Sequence, residues 1–263
     1  MKAFLINEDN VGGFADKMGA WIKEKVSQAN CKGVVLGMSG GIDCSVVARL
    51  CQVGGVDVQL VLMPYGDDMK NSKSYDHAMS LIEKFNFPHS VFDIKPAIET
   101  FIIPICKCSE AAGHVATNPS DDSCNLSYAN VRPRVRMTCL YLQAQRDNRL
   151  VIGAGNLAER TVGYFTKWGD GACDLNPLAM LTKQEVYTLA RYLEIPDCII
   201  NKKPSAGLWD GQTDEDELGL TYAAIDAFIL NSTSGDTETD RKITDRIAGS
   251  AHKHAFPPIF EGG

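Results

Sequence analysis

Apolar residues occur along this chain in two alternating arrangements. Short, continuous apolar runs predict buried β-strands at residues 34–37, 56–64, 89–94 and 150–153. Longer segments, in which apolar residues recur every three or four positions, predict helices at residues 14–26, 46–52, 72–86, 97–103 and 133–148. Strands that alternate with helices indicate a doubly wound α/β fold with a parallel sheet, and ligands of such folds bind at the carboxyl ends of the strands.

The first predicted helix carries its apolar residues on a single face. This stripe consists of Phe14, Met18, Trp21, Ile22 and Val26. It indicates packing rather than cofactor binding. Either the sheet or a second subunit could bury it, and the sequence does not distinguish the two.

A glycine turn directly after the first predicted strand is the strongest sign of function. Ser39-Gly40-Gly41 joins that strand to a helix. Glycine lets a polyphosphate approach the backbone, and the free amides of a helix start face the anion. Asp43 would repel phosphate unless a divalent cation lay between them, so it is interpreted as a magnesium ligand. The ordinary phosphate loop is excluded because no lysine follows the second glycine, and a plain surface turn is the alternative.

A second candidate region lies in the later half of the chain. Residues 163–177 contain too many turn-forming residues for a strand or helix of the core. They hold three glycines together with Lys167, Asp170 and Asp174. Thr182 and Glu185 then have the spacing of a helix N-cap with its capping box, with Lys183 in the first turn. Each residue alone also has a structural interpretation, Lys183 as a solvated lysine and Asp174 as a turn former.

Composition and charge narrow the class of protein. With 263 residues, 44% of them hydrophobic and 22% charged, we expect one globular domain over residues 1–263, in which a second independent domain would be cramped. A net charge of −7 speaks against nucleic acid as a partner. No apolar run is long enough to span a membrane, and acidic residues come too early for a secretory signal, so we expect a cytoplasmic protein.

The nine cysteines do not form a recognisable set. Their number is odd, several lie inside predicted strands or helices, and Cys106 and Cys108 are the only tight pair. They are interpreted mostly as small buried hydrophobic residues in a reducing compartment.

Two resemblances to known families extend this interpretation. The residues SGGIDCS resemble the SGG-x-D-S pyrophosphate loop of the ATP pyrophosphatases, which adenylate a carboxylate or carbonyl. Further segments resemble, in sequence and in order, the ammonia-dependent NAD synthetases; they are residues 129–137, 153–159, 163–178, 181–186, 202–219 and 252–258. The resemblance covers nearly the whole chain and implies a Rossmann-like sheet of the ATP pyrophosphatase type, flanked by helices.

The second resemblance also implies a reaction and a set of site residues. That family joins ATP to the nicotinate carboxylate of nicotinic acid adenine dinucleotide (deamido-NAD), releases pyrophosphate, and lets ammonia displace AMP to give NAD. The implied Mg²⁺ ligands are Asp43 and Glu159. The implied ATP site consists of Gly37, Met38, Ser39, Gly40, Gly41, Ile42, Asp43, Cys44, Ser45, Lys183 and Ser205. The implied deamido-NAD site consists of Arg134, Lys167, Asp174, His252 and Lys253. Because the family's dinucleotide site lies at the subunit interface, a homodimer is expected. No glutaminase domain is expected, since there is no room for one before residue 30 or after residue 230.

The chemistry of this reaction suits these residue types. The substrate carboxylate itself attacks the α-phosphorus, so the protein positions the substrates and neutralises charge. Lys183 is the candidate catalytic cation for the departing pyrophosphate. Ammonium must lose a proton before it reacts, and Asp170 is the candidate catalytic base because it lies between two glycines of the second region.

Three residues depart from the family pattern. Ala154 stands where a threonine is frequent, Pro133 where a small residue precedes the arginine, and Cys44 where a serine is usual. A thiol is a poorer hydrogen-bond donor than a hydroxyl, although the backbone N–H at that position is retained. None of the three removes a group that adenylation needs.

Two other functions remain open. A tRNA-modifying adenylase or thiolase of the same superfamily would use the glycine turn. It would also need a basic surface and a reactive pair of cysteines. A non-catalytic nucleotide-binding regulator would not need the two magnesium carboxylates. Residues 202–217, which combine lysines and glycines with four consecutive acidic residues, are either a lid that orders on substrate binding or a solvated loop.

Overall fold

The computed structural model describes residues 6–66, 72–100, 129–203 and 213–260. Several predictions fall outside these ranges: the end of the helix after Pro96, the loop that the loss of apolar periodicity predicts at residues 104–124, and the implied ATP ligand Ser205. Of the segment 202–217, residues 204–212 also lie outside.

Four parallel strands form one sheet. They are β1 (Gly33–Gly37), β2 (Val58–Leu62), β3 (His89–Val91) and β4 (Arg149–Val151). Their order is β3-β2-β1-β4, with Val34 of β1 aligned with Val58 and Leu150. The strand order therefore reverses between β1 and β4, and the doubly wound fold predicted from the sequence is confirmed.

Helices surround this sheet in the described part of the chain. They are α1 (Val11–Gln28), α2 (Ile42–Val53), α3 (Lys73–Phe85), α4 (Val131–Asp147), α5 (Leu157–Thr161), α6 (Lys183–Tyr192), α7 (Asp197–Ile200), α8 (Asp214–Leu218), α9 (Tyr222–Asn231) and α10 (Thr237–Ser250). Residues 95–100 are helical as well. None of the described helices is long and apolar enough to cross a membrane.

Alternate residues of the strands build two cores on opposite faces of the sheet. Leu36 and Leu60 belong to the larger core, which α1, α2, α3 and α6 cover. Val35 and Val61 belong to the smaller core on the other face, where Ala144 of α4 packs. This alternation follows from the two-residue period of a strand. A third apolar cluster joins α5, α8, α9 and α10.

The apolar stripe of the first helix packs within the chain. Met18, Ile22 and Val26 are buried in the larger core. Trp21, which helical spacing places on the same stripe, is instead 37% exposed. The sheet side of the molecule, rather than a second subunit, therefore covers most of this face.

Candidate active site

Two turns meet at the reversal of the strand order. One follows β1 and leads through residues 38–41 into α2; the other follows β4 and leads through residues 153–156 into α5. Both lie at the carboxyl ends of neighbouring parallel strands, which is where doubly wound folds bind ligands.

The glycine turn needs glycine at Gly40. This residue has a φ of +73°, and a Cβ there would lie 2.0 Å from the carbonyl oxygen of Ser74 in the first turn of α3. A side chain would therefore be strained and would also collide with backbone. The bare turn and the start of α2 offer an anion a surface made of backbone.

The side chains around this turn bond to one another. Ser45 Oγ donates to the carbonyl oxygen of Gly41 at 2.7 Å, and Cys44 Sγ donates to the same oxygen at 3.2 Å. Ser39 Oγ accepts a hydrogen bond from the Gly41 amide at 3.3 Å. The thiol of Cys44 thus keeps an internal contact of the turn. Gly37 ends β1, Met38 is buried beside the thiol, and Ile42 opens α2.

Asp43 is the centre of a buried polar cluster. Its Oδ2 accepts from Lys183 Nζ at 2.7 Å, and its Oδ1 accepts from Asn156 Nδ2 at 2.9 Å. Lys183 Nζ also lies 3.6 Å from Glu159 Oε1. The two carboxylates predicted to hold magnesium therefore share one ammonium group, and each side chain is about 18% exposed.

The start of α6 fixes Lys183. Thr182 caps the helix and forms the predicted capping box with Glu185, while Asp226 of α9 accepts from the amides of Lys183 and Gln184 at 3.1 and 3.0 Å. These bonds satisfy amides that a helix start leaves open. Lys183 is 3% exposed, so its interpretation as a solvated first-turn lysine is wrong.

Asn156 orients both carboxylates and was not among the predicted site residues. Its side chain accepts from the Glu159 amide at 3.0 Å, and Glu159 Oε2 accepts from the Asn156 amide at 3.1 Å. This capping box could have been found from the sequence, because asparagine followed three residues later by glutamate is its signature. Tyr222 Oη also donates to Glu159 Oε1, at 3.3 Å, and no pattern in the neighbouring sequence predicts this contact.

Burial and mutual repulsion set the charge of this cluster. Burial, and after it the negative charge of Asp43, raises the pKa of Glu159 to about 8. Burial would lower the pKa of Lys183, but Asp43 and Glu159 outweigh it and raise that pKa. The cluster therefore holds a charged lysine, and its second carboxyl group favours the protonated form until a further cation arrives.

The carboxylate oxygens of Asp43 and Glu159 fit a hard divalent cation that takes its remaining ligands from water and phosphate. Asp43 and Glu159 supply oxygen ligands and already bind a cationic group between them. In the described ranges no group of three or more histidine, cysteine or acidic residues is arranged to hold a metal. Two carboxylates suit Mg²⁺, which usually completes its shell with water and phosphate oxygens.

A second polar region forms around the turn at residues 163–171. Lys253 Nζ donates to the carbonyl oxygens of Gly163 and Phe165, both at 2.8 Å, and Lys167 Nζ donates to the His252 carbonyl oxygen. The structure thus brings together three of the five residues predicted for deamido-NAD. The ammonium groups of Lys167 and Lys253 are held by neutral carbonyl oxygens, so these two positive charges are not neutralised by those bonds.

Asp170 lies inside this second region. Its Oδ1 accepts from the Thr166 amide at 3.0 Å, so it also stabilises the turn. Burial raises its pKa, although the bonds to backbone and the charge of Lys253 oppose that rise. Arg136 of α4, which sequence reasoning did not select, is partly buried, donates to the Met63 carbonyl oxygen at 3.0 Å, and interacts electrostatically with Asp170.

The other two predicted dinucleotide ligands lie apart from this group. Arg134 is exposed in the first turns of α4 and, among the described residues, its side chain makes no hydrogen bond or ion pair. Asp174 accepts from Tyr141 Oη at 3.1 Å and from the Val151 amide at 2.7 Å. In this state Asp174 ties α4 to β4 rather than acting as a simple turn former.

Comparisons with known proteins agree with this geometry. A model of the NAD synthase family matches residues 14–257. The NH3-dependent NAD(+) synthetase of Syntrophomonas wolfei is 39% identical over 243 residues, which cover 91% of this chain and 92% of that protein.

Two solved structures are similar along nearly the whole chain. One is the NMN synthetase of Francisella tularensis, with a TM-score of 0.84, 35% identity and coverage of 96% of this chain and 99% of that one. The other is the NH3-dependent NAD synthetase of Campylobacter jejuni, in complex with the nitrate ion, with a TM-score of 0.74, 30% identity and coverage of 98% and 100%. This chain therefore belongs to the NAD synthase family.

Proposed function

We propose that this chain uses ATP and ammonia to convert the nicotinate carboxylate of deamido-NAD into the carboxamide of NAD, with release of AMP and pyrophosphate. Membership of the NAD synthase family makes it a ligase of NAD biosynthesis that forms a C–N bond and uses ATP. The observation that carries the proposal is the cluster of Asp43, Glu159 and Lys183 beside a glycine turn.

The reaction needs no nucleophile from the protein. A carboxylate oxygen of the substrate attacks the α-phosphorus of ATP, the bond to pyrophosphate breaks, and a mixed anhydride with AMP forms. Ammonia then attacks the carbonyl carbon, and AMP leaves with the electron pair of the broken C–O bond. The backbone of the glycine turn binds phosphate oxygens, and Lys183 neutralises the charge that grows on the leaving pyrophosphate.

Asp43 and Glu159 are the residues that would hold Mg²⁺. When bound, this ion supplies charge neutralisation to the triphosphate. With that charge neutralised, the ammonium group of Lys183, which now pairs with Asp43, would be available to bind phosphate. Asn156 keeps both carboxylates in place through its bonds to Asp43 and Glu159.

The turn at residues 163–171 is the proposed deamido-NAD site. Lys167, His252 and Lys253 gather there, and Arg134 and Asp174 complete the proposed set. We assign Asp170 to the removal of a proton from ammonium, because burial makes its carboxylate a stronger base. The proposed assembly is a homodimer in which the second copy closes this site.

The assay that tests the function follows AMP, pyrophosphate and NAD with deamido-NAD and ATP. With ammonium as nitrogen source the three products should appear in equal amounts, and glutamine should support little turnover. Formation of AMP and pyrophosphate without NAD would show that the adenylate is made but not amidated. Nucleotide binding without pyrophosphate release would favour the regulator over the enzyme.

A second substrate is favoured by one comparison. The TM-score to the NMN synthetase structure, 0.84, exceeds the 0.74 to the NAD synthetase structure. The corresponding acid, nicotinic acid mononucleotide, carries the same reacting carboxylate but lacks the AMP half of deamido-NAD. Measuring kcat/KM for both acids decides between them: a larger value for the mononucleotide would make amidation of the mononucleotide the main activity.

A further inference from the structure

Lys202 has no role in the proposed adenylation and amidation steps. It follows α7, is half-buried, and donates from Nζ to Ser74 Oγ at 2.8 Å. Within the described residues it makes no ion pair. A half-buried ammonium group that is held only by a neutral hydroxyl is costly, because burial removes water without supplying an opposite charge.

The position of Lys202 explains where such a charge could be used. Ser74, its hydrogen-bond partner, is also the residue whose carbonyl oxygen lies against Gly40. Cys44, in the first turn of α2, and Asp214 both act electrostatically on Lys202. Lys202 therefore lies beside the glycine turn, on the side where α3 packs.

Lys202 also shares a cleft with Lys183. Both line a cleft of about 270 Å³, together with Tyr187, Glu215 and Tyr222. Lys183 reaches this cleft from α6 already paired with Asp43 at 2.7 Å, and it lies 3.6 Å from Glu159. Lys202 makes no ion pair among the described residues, so its ammonium group can bind an anion in the cleft without first leaving a carboxylate.

Burial makes a positive charge costly around Lys202. It lowers the pKa of Lys202, although Cys44 and Asp214 oppose that shift. His77 of α3, whose Nδ1 is buried and has no hydrogen-bond partner, has a pKa lowered by burial and by Lys202. The environment thus penalises cations here, as expected for a site that is completed by a bound anion.

We propose that Lys202 binds the β- and γ-phosphate oxygens of ATP, and the pyrophosphate they become, as a second cation beside Lys183. This inference rests on the proposed function, since it assigns a residue to the same ATP site. During adenylation the leaving pyrophosphate gains negative charge, and a lysine already placed beside the glycine turn stabilises it without rearrangement.

The test compares ligands with and without the two outer phosphates. Isothermal titration calorimetry of the full chain with Mg²⁺ would measure the Kd of ATP, inorganic pyrophosphate and AMP for the wild type and for Lys202→Met. We expect the variant to bind ATP and pyrophosphate about 10- to 100-fold more weakly, the size of one lost charge-assisted bond. AMP binding should change less than about twofold, because AMP lacks the β- and γ-phosphates.

Controls separate this role from a structural one. Lys202→Gln keeps a donor for Ser74 Oγ while removing the charge, and should behave like Lys202→Met; it also serves as the test if the methionine variant does not fold. Lys202→Arg should recover most of the affinity. Lys73→Met removes an exposed lysine one residue from Ser74 and should leave all three Kd values unchanged.

Two results would overturn the inference alone. One is unchanged affinity for pyrophosphate in Lys202→Gln, and the other is an equal loss for ATP and AMP, which would indicate a distorted cleft. A wild-type chain that binds neither ATP nor pyrophosphate would overturn the proposed function, and this inference with it.

Discussion

At the scale of single residues, Asp43 should be the most sensitive position of the ATP site. It is the shared partner of Lys183 and Asn156. Asp43→Asn leaves a buried ammonium with one carboxylate fewer and removes a proposed Mg²⁺ ligand. We expect kcat/KM for ATP to fall at least about 100-fold in a pyrophosphate-release assay.

The control for Asp43 is another aspartate that pairs with a basic residue. Asp57 pairs with Arg149 at 2.7 Å at the amino ends of the strands, opposite the carboxyl ends where the glycine turn lies. Asp57→Asn should leave kcat/KM within about twofold of wild type, because surface pairs contribute little. Similar losses of kcat/KM in both variants would mean that the loss in Asp43→Asn comes from removing a negative charge and not from its position in the site.

Asp170→Asn tests the proposed base. Burial raises the pKa of Asp170, and a carboxylate acts as a base only above its pKa. The wild-type rate at low ammonium should therefore rise with pH through that pKa, and this limb should disappear in the variant. Initial rates against ammonium concentration at several pH values measure it; an unchanged ammonium dependence would refute the assignment.

The same variant needs a structural check, because Asp170 also accepts from the Thr166 amide. Asparagine keeps an acceptor oxygen at that position. The KM for ATP should therefore stay near the wild-type value. A parallel rise in the KM for ATP and in that for ammonium would indicate that the turn has moved.

At the scale of elements, the close packing of α3 on the glycine turn leads to a prediction. Gly40→Ala places a Cβ 2.0 Å from the Ser74 carbonyl oxygen, at a φ of +73°. We expect a loss of about 1–3 kcal/mol in the free energy of unfolding and weaker ATP binding, because α3 and the turn must separate. Urea denaturation and ATP titration measure the two effects.

Gly13→Ala is the matched control. Gly13 lies inside α1, and an added Cβ there meets nothing within 4 Å. Alanine in a helix interior should raise stability by about 0.5–1 kcal/mol. Opposite signs for the two substitutions would establish that the cost at Gly40 is positional, whereas equal stabilisation would contradict the described packing.

Elements that depend on neighbouring residues in sequence were predictable, and details that depend on distant ones were not. The strand, turn and helix around Ser39-Gly40-Gly41 follow local patterns, as do the bounds of α3. β3 ends at Val91, three residues before the predicted end, because Asp93 turns the chain by accepting from the amides of Gly66 and Lys95. Trp21 follows helical spacing yet lies at the exposed margin of α1.

The same distinction applies to the site. Thr182 and Glu185 form the predicted capping box because both partners lie within one turn. The bonds of Asp43 to Asn156 and Lys183 instead join positions 113 and 140 residues apart. No local pattern specifies such pairs. Resemblance to a family could name Lys183 and Glu159, and the capping box of Asn156 with Glu159 is local, but the contact of Asn156 with Asp43 required the fold.

At the scale of the whole molecule, the order of the strands places both halves of the site at one crevice. β1 and β4 are neighbours although more than a hundred residues separate them. The glycine turn therefore meets Asn156 and Glu159 only once this long-range pairing has formed. The expected single domain over residues 1–263 and the cytoplasmic location stay predictions.

The exposed surface of α4 is a candidate subunit interface. Only Ala144 of this 17-residue helix is buried, and Leu142 is 69% exposed. If a second copy covers this helix in the proposed homodimer, light scattering should give about twice the chain mass of 28.7 kDa. Leu142→Glu would place a charge in that interface, which is unfavourable without a partner, so the mass should fall to that of one chain.

Leu230→Glu is the comparison that makes this result specific. Leu230 of α9 is 43% exposed, and its substitution should leave the dimer intact. Because the proposed deamido-NAD site is closed by the second copy, Leu142→Glu should raise the KM for deamido-NAD more than the KM for ATP. A dimer that persists in Leu142→Glu, or that is lost in both variants, would place the interface elsewhere on the molecule.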